Sequence, residues 1–184
     1  MELDKAIQAR HSVRKFSKKV PNWRTIIECI DSARYAPMAG GSYTLKFIMV
    51  NDEEKIKKIA EASQQEHVGE VKFIVVACSN PSRPTNEYGK QGEVYARQQA
   101  GAAIENFLLK ITESGLATCW VGYFVEDQVK RILKIPKECN VEALFPIGYE
   151  TEKKRTKKAK IDLDRILYFN FYDNKNMKHP KFVD

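Results

Sequence analysis

The chain has 184 residues, 43% hydrophobic and 30% charged. This suits one folded domain with a hydrophobic core and excludes an intrinsically disordered chain. No apolar run approaches the ~20 residues that span a bilayer, and the net charge of +7 favours anionic partners: nucleic acid, acidic lipid or phosphorylated small molecules.

Met1 to Arg10 is amphipathic and lacks the apolar centre of a secretion signal, so a cytoplasmic protein is expected. Leu3, Ala6 and Ile7 open a short helix, which breaks at the polar stretch Arg10 to Lys19. Asn22 caps a second helix with a predicted buried stripe of Trp23, Ile26, Ile27, Ile30 and Ala33. Pro37 and Gly40–Gly41 end it and open a loop. Lys46 to Val50 reads as a short strand, and Asp52 caps a helix carrying Ile56, Ile59 and Ala60. Val71 to Cys78 is almost wholly apolar, as in a central strand covered on both faces.

Ser79 to Gly92, with Pro81, Pro84, Asn86 and Gly89, reads as a loop. The longest helix follows from about Glu93 to Ser114, with Ile104, Phe107, Leu108 and Ile111 as its stripe and Gly115 as its stop. Ala117 to Phe124 reads as a strand. A short helix carries Val129, Ile132 and Leu133, and Glu142 to Tyr149 is a further strand that Pro146 places at an edge or bend. After a basic cluster, Ile166 to Tyr172 is an apolar, strand-like run. No repeat or linker interrupts the chain. The expected fold is a single α+β domain over residues 1–184, a mixed sheet flanked by helices.

Four constellations carry candidate chemistry. In Arg10–Phe16, extended backbone would set Arg10, Ser12 and Arg14 on one side, a receptor for a phosphate, because guanidinium makes paired, charge-assisted hydrogen bonds. A solvated basic loop explains the same residues as well. Pro37, Met38, Ala39, Gly40 and Gly41 form a small-residue loop that a ligand can approach closely, or simply a turn. Trp120, Val121 and Gly122 place a glycine among aromatics, either an amide open to a flat ligand or a bulge. Lys158 and Lys160 alternate in a basic loop that is otherwise solvated surface. The four cysteines fit no zinc spacing and no metal is expected.

In order and spacing these segments resemble the FMN-dependent nitroreductase family, over Leu3 to Tyr172. Arg10–Phe16 looks like its arginine–serine–arginine–phenylalanine signature, and Arg34–Ser42 resembles its alanine–proline loop. Tyr88–Leu109 resembles its long central helix, and Gly115–Phe124 with Pro146–Tyr149 resembles two strands of its small members.

The resemblance implies that Arg10, Ser12 and Lys160, with Lys158 in support and His11 within the segment, hold the FMN phosphate and ribityl chain. It implies Arg14 near flavin N1 and O2, the Gly122 amide near N5, and Pro37 to Gly41 contacting the ring from the other subunit. NADH or NADPH would deliver hydride to the flavin, and a quinone, nitroaromatic or similar flat acceptor would then take it. The chain departs from the pattern at Met38, Gly41 and Tyr43–Leu45, where polar side chains normally support the flavin.

The implied assembly is a homodimer sharing two sites. Residues from about 161 to 184 would extend onto the partner as an exchanged strand, and the Ile104–Ile111 stripe would lie near the two-fold axis. Other readings are a dehalogenating or flavin-processing branch, or a flavin-binding redox sensor with little turnover. A nucleic-acid module lacks a recognised motif, so neither nucleic acid nor membrane is expected as a partner.

Overall fold

The computed structural model describes residues 1–151 and 161–177. The chain divides into two units, Met1–Lys153 and Lys154–Asp184.

The first unit is built round a three-stranded sheet in the order β1 (Leu45–Val50), β2 (Phe73–Ser79), β3 (Asn140–Ile147). Both pairings are antiparallel, so no parallel component of the expected mixed sheet occurs among the described strands. Every residue of β2 is buried, because successive side chains enter opposite faces and both faces are covered. Phe73, Val75 and Ala77 join the core beneath α2 (Trp23–Ala33) and α5 (Lys90–Glu113). Ile74, Val76 and Cys78 join the one beneath α3 (Glu53–Ser63) and α6 (Glu126–Leu133). Phe107 of α5 stacks at 5.4 Å on Phe145 and 5.9 Å on Phe47. Burial pushes the Cys78 thiol up to about 12, as for an inert core cysteine.

Caps act where the sequence places them. Asn22 accepts from the Arg24 amide at 3.0 Å, and Asp52 from Lys55 at 2.9 Å. The stripes are partly different. In α2 the buried residues are Ile26, Cys29 and Ala33, while Trp23 (44%) and Ile27 (46%) are exposed. In α1 (Leu3–Ala9) Ala6 is buried and Leu3 and Ile7 are exposed. The Ile104–Ile111 stripe expected near a two-fold axis is the chain's own core.

The expected loop Ser79–Gly92 holds a helix, α4 (Ser82–Tyr88), and α5 starts at Lys90 rather than Glu93. Pro84 is tolerated because it sits in the first turn, where its missing N–H has no helical partner. Gly92 lets the two helices meet, since a Cβ there would collide with the Pro84 carbonyl.

Ala117–Phe124 is not a strand. It makes two isolated bridges, Ala117 with Gly148 and Val121 with Leu144. Between these partners lies Pro146, whose position in the alternation faces the same neighbour but offers no N–H. The ladder therefore cannot run through, and only its ends pair.

In the second unit the described part holds one 3-10 turn, Leu163–Arg165, followed by turns. Ile166 to Tyr172 is not a strand. Phe169 and Asn174 instead close a local turn, through the Phe169 amide to the Asn174 carbonyl at 2.7 Å, and Tyr168 packs on Tyr172 at 5.0 Å. Among the described residues no helix is long and apolar enough to cross a membrane.

Candidate active site

Extended backbone after α1 alternates as expected: Val13 is buried, and Ser12 and Arg14 are exposed. The Val13 amide donates to the Thr118 carbonyl at 2.9 Å, and Phe16 bridges to Glu150. The Arg10–Arg14 segment thus runs beside the segment that carries Trp120, Val121 and Gly122. Phe16 fits because Gly148 has no side chain; a Cβ there would lie 2.8 Å from the ring. His11 contacts the Ala9 carbonyl through Nδ1 at 2.8 Å and Glu150 through Nε2 at 3.1 Å. Arg10 turns towards Glu105 of α5, with Nε 3.5 Å from the carboxylate.

Val121 is buried, while Trp120 and Gly122 are exposed. Trp120 stands edge-on to Phe145 at 5.8 Å. The Gly122 amide makes no hydrogen bond among the described residues. Beyond it, the Val125 amide donates to Ala62 at 2.8 Å and the Gln65 amide group to Tyr123 at 3.4 Å. The end of α3 therefore pins this segment from the far side. His67 lies there too, and burial, followed by the charge of Arg14, holds its imidazole below its ordinary value.

The Pro37–Gly41 loop is anchored elsewhere. It closes as a 3-10 turn, Ala39–Gly41, with Gly40 at φ 55° and Gly41 at φ 67°, conformations that favour glycine. Gln99 of α5, itself buried, accepts from the Thr44 amide and hydroxyl at 2.7 Å each and donates to the Ser42 carbonyl at 3.1 Å and to Pro37 at 3.4 Å. No hydrogen bond joins this loop to Arg10–Arg14 among the described residues. Sequence reasoning missed Gln99. The available signal was a polar residue on the apolar stripe, between Ala96 and Ala103.

Lys158 and Lys160 lie outside the described residues. A cleft of about 740 Å3 opens on α3 beside Gln64, Gln65 and Lys72. None of the predicted cofactor residues lines it. Arg10 to Arg14 and Trp120 to Gly122 lie instead on the two segments that the Val13–Thr118 hydrogen bond joins.

Residues 7–68 and 63–149 match the sequence model of the nitroreductase family. The chain belongs to the nitroreductase family. It is 27% identical over 155 residues to an Archaeoglobus fulgidus protein named NADH dehydrogenase/NAD(P)H nitroreductase, covering 82% of this chain and 86% of that one. A crystal structure of a nitroreductase family protein from Clostridium novyi NT has 29% identity and a TM-score of 0.75, over 95% and 96% of the two chains. The NADPH:FMN oxidoreductase of Vibrio harveyi, solved with NAD+, shares the fold at 19% identity with a TM-score of 0.81, over 95% of this chain and 79% of that one.

Proposed function

We propose that this nitroreductase-family enzyme is an FMN-dependent oxidoreductase that moves reducing equivalents from NADH or NADPH to a quinone, nitroaromatic or similar flat acceptor. The observation that carries this reading is that the segment with the exposed Ser12 and Arg14 is bonded, through Val13 and Thr118, to the segment that carries the unbonded Gly122 amide. The names of the relatives add support. The residues also fit the cofactor: the Arg10 guanidinium meets Glu105 through its Nε, and its two Nη groups make no hydrogen bond among the described residues.

Bound FMN supplies hydride transfer at its ring N5. Arg10, Ser12 and Lys160, with Lys158 in support, would bind its phosphate by charge-assisted hydrogen bonds. Arg14 would set a positive charge beside the ring and favour its reduced form. The Gly122 amide would donate to the ring edge, and Trp120 would flank it. Because Pro37–Gly41 hangs on α5 and not on the Arg10 segment, we propose that it serves the partner's flavin in a homodimer. The exposed Leu3, Ile7, Trp23 and Ile27 would be covered in that dimer. Residues from about 161 onwards would extend onto the partner, completing a domain of 1–184. A cytoplasmic location accords with four free cysteines.

The test is direct. The pure protein should be yellow, release FMN on heating, and bleach anaerobically when NADH or NADPH is added. A yellow protein that neither nucleotide bleaches is a flavin-binding protein, and the oxidoreductase reading fails.

A further inference from the structure

Arg10 is held by one edge only. Its backbone is fixed as the C-cap of α1, with the amide donating to the Ala6 carbonyl at 2.9 Å. Its buried Nε makes no directed hydrogen bond yet faces the Glu105 carboxylate at 3.5 Å, an ion-pair contact. The two Nη groups have no hydrogen bond among the described residues, and the side chain is 35% exposed. A guanidinium is a planar fork of five donors. With its Nε edge facing Glu105, the Nη edge remains for an incoming oxyanion.

We propose that Glu105 is a positioning residue for phosphate recognition. It holds Arg10 by the Nε edge, so that the Nη edge is oriented before the FMN phosphate arrives. This rests on the FMN reading above. Two effects oppose each other. A carboxylate near a phosphate repels it, but here the guanidinium lies between the two anions, and water screens charges at a site this exposed. Left loose, an arginine loses rotamer freedom only when the ligand binds, and that loss weakens binding. Orientation therefore outweighs repulsion.

The experiment titrates FMN and riboflavin into the full-length chain freed of bound flavin, following flavin fluorescence. Riboflavin lacks the phosphate, so the ratio of the two dissociation constants reads the phosphate site alone. Glu105→Ala should weaken FMN by about two- to tenfold, the effect of freeing one long side chain, and leave riboflavin unchanged. Glu105→Gln keeps an acceptor oxygen for Nε, so FMN should bind at least as tightly as to the wild type. Unchanged riboflavin affinity also shows that the variants are folded. If both variants keep the wild-type ratio, or both bind FMN more tightly, the proposal is overturned; in the second case Glu105 is a competing anion. If Glu105→Gln weakens FMN as much as Glu105→Ala, orientation is not what the carboxylate supplies. Wild-type protein that prefers FMN no more than riboflavin would sink the cofactor assignment itself, and this proposal with it.

Discussion

In the core of residues 1–151 large apolar side chains pack on one another, whereas in residues 161–177 most of them are exposed. Phe107 is fully buried between Phe47 and Phe145. Phe171 is 70% exposed and Tyr172 85%. Similar residues meet opposite fates because Phe107 lies against a face of the three-stranded sheet, whereas the described part of the second unit forms no sheet of its own. Exposed apolar side chains grouped in this way are a mark of interaction surfaces.

The largest expected effect lies in the buried half. Phe107→Ala should cost about 3–5 kcal/mol in chemical denaturation, from lost transfer energy and a cavity in the aromatic cluster. Phe171→Ala should leave that denaturation midpoint nearly unchanged at concentrations where the protein is monomeric. Equal losses would erase the contrast. Truncation before Ile161 should lower dimer stability and FMN occupancy together, measured by sedimentation and absorbance. A truncated protein that stays monomeric, soluble and yellow overturns the tail's role.

Within the first unit, Arg10→Ala should weaken FMN binding by about 1.5–3 kcal/mol, the loss of a charged hydrogen-bonding partner. An unchanged affinity removes Arg10 from the site. Gly40→Ala should destabilise by about 1–3 kcal/mol, for a left-handed backbone with the Tyr88 hydroxyl 2.6 Å from the new Cβ. Gly41→Ala meets nothing within 4 Å and should cost less; the reverse order would place the strain elsewhere.

The smallest effect concerns Glu126, which accepts from the Val141 amide at 2.9 Å and pairs with Lys130 at 2.9 Å. Burial raises its pKa, but Lys130 and the Val141 amide outweigh burial and hold it below the ordinary value. A depressed carboxylate adds stability above its unfolded pKa and loses it as pH falls through the folded one. Wild type should therefore melt slightly above Glu126→Gln at neutral pH, and the gap should close in acid. A gap independent of pH would show that charge is not its cause.

Local pattern was enough for much of this chain. The α5 stripe, the buried β2, the caps at Asn22 and Asp52 and the alternation of Ser12, Val13 and Arg14 all follow from periodicity or from one side chain bonding its neighbour's amide. What escaped depends on something distant or on context within a turn. Pro84 looks like a loop residue unless it is known to occupy a first helical turn. Ala117–Phe124 has strand composition but faces a proline more than twenty residues away. Trp23 and Ile27 have the right spacing for a core and lie on its outer side. Gln99 reads as an ordinary helix residue until the loop it holds is known. The alternation that exposes Ser12 and Arg14 was visible in sequence, whereas Glu105 behind Arg10 was not, because that pairing joins residues far apart in the chain.

Pro146 has a kinetic consequence. The segment bearing Gly122 is tied to the end of β3 by four backbone hydrogen bonds, two at each bridge, with nothing between. Its amides can exchange with solvent through a local opening, while those of β2 must wait for the sheet itself to come apart. In a deuterium-exchange time course, Val121 should label well before Val75, although both are buried. The missing proline donor thus separates the motions of the Gly122 segment from those of the core that carries it.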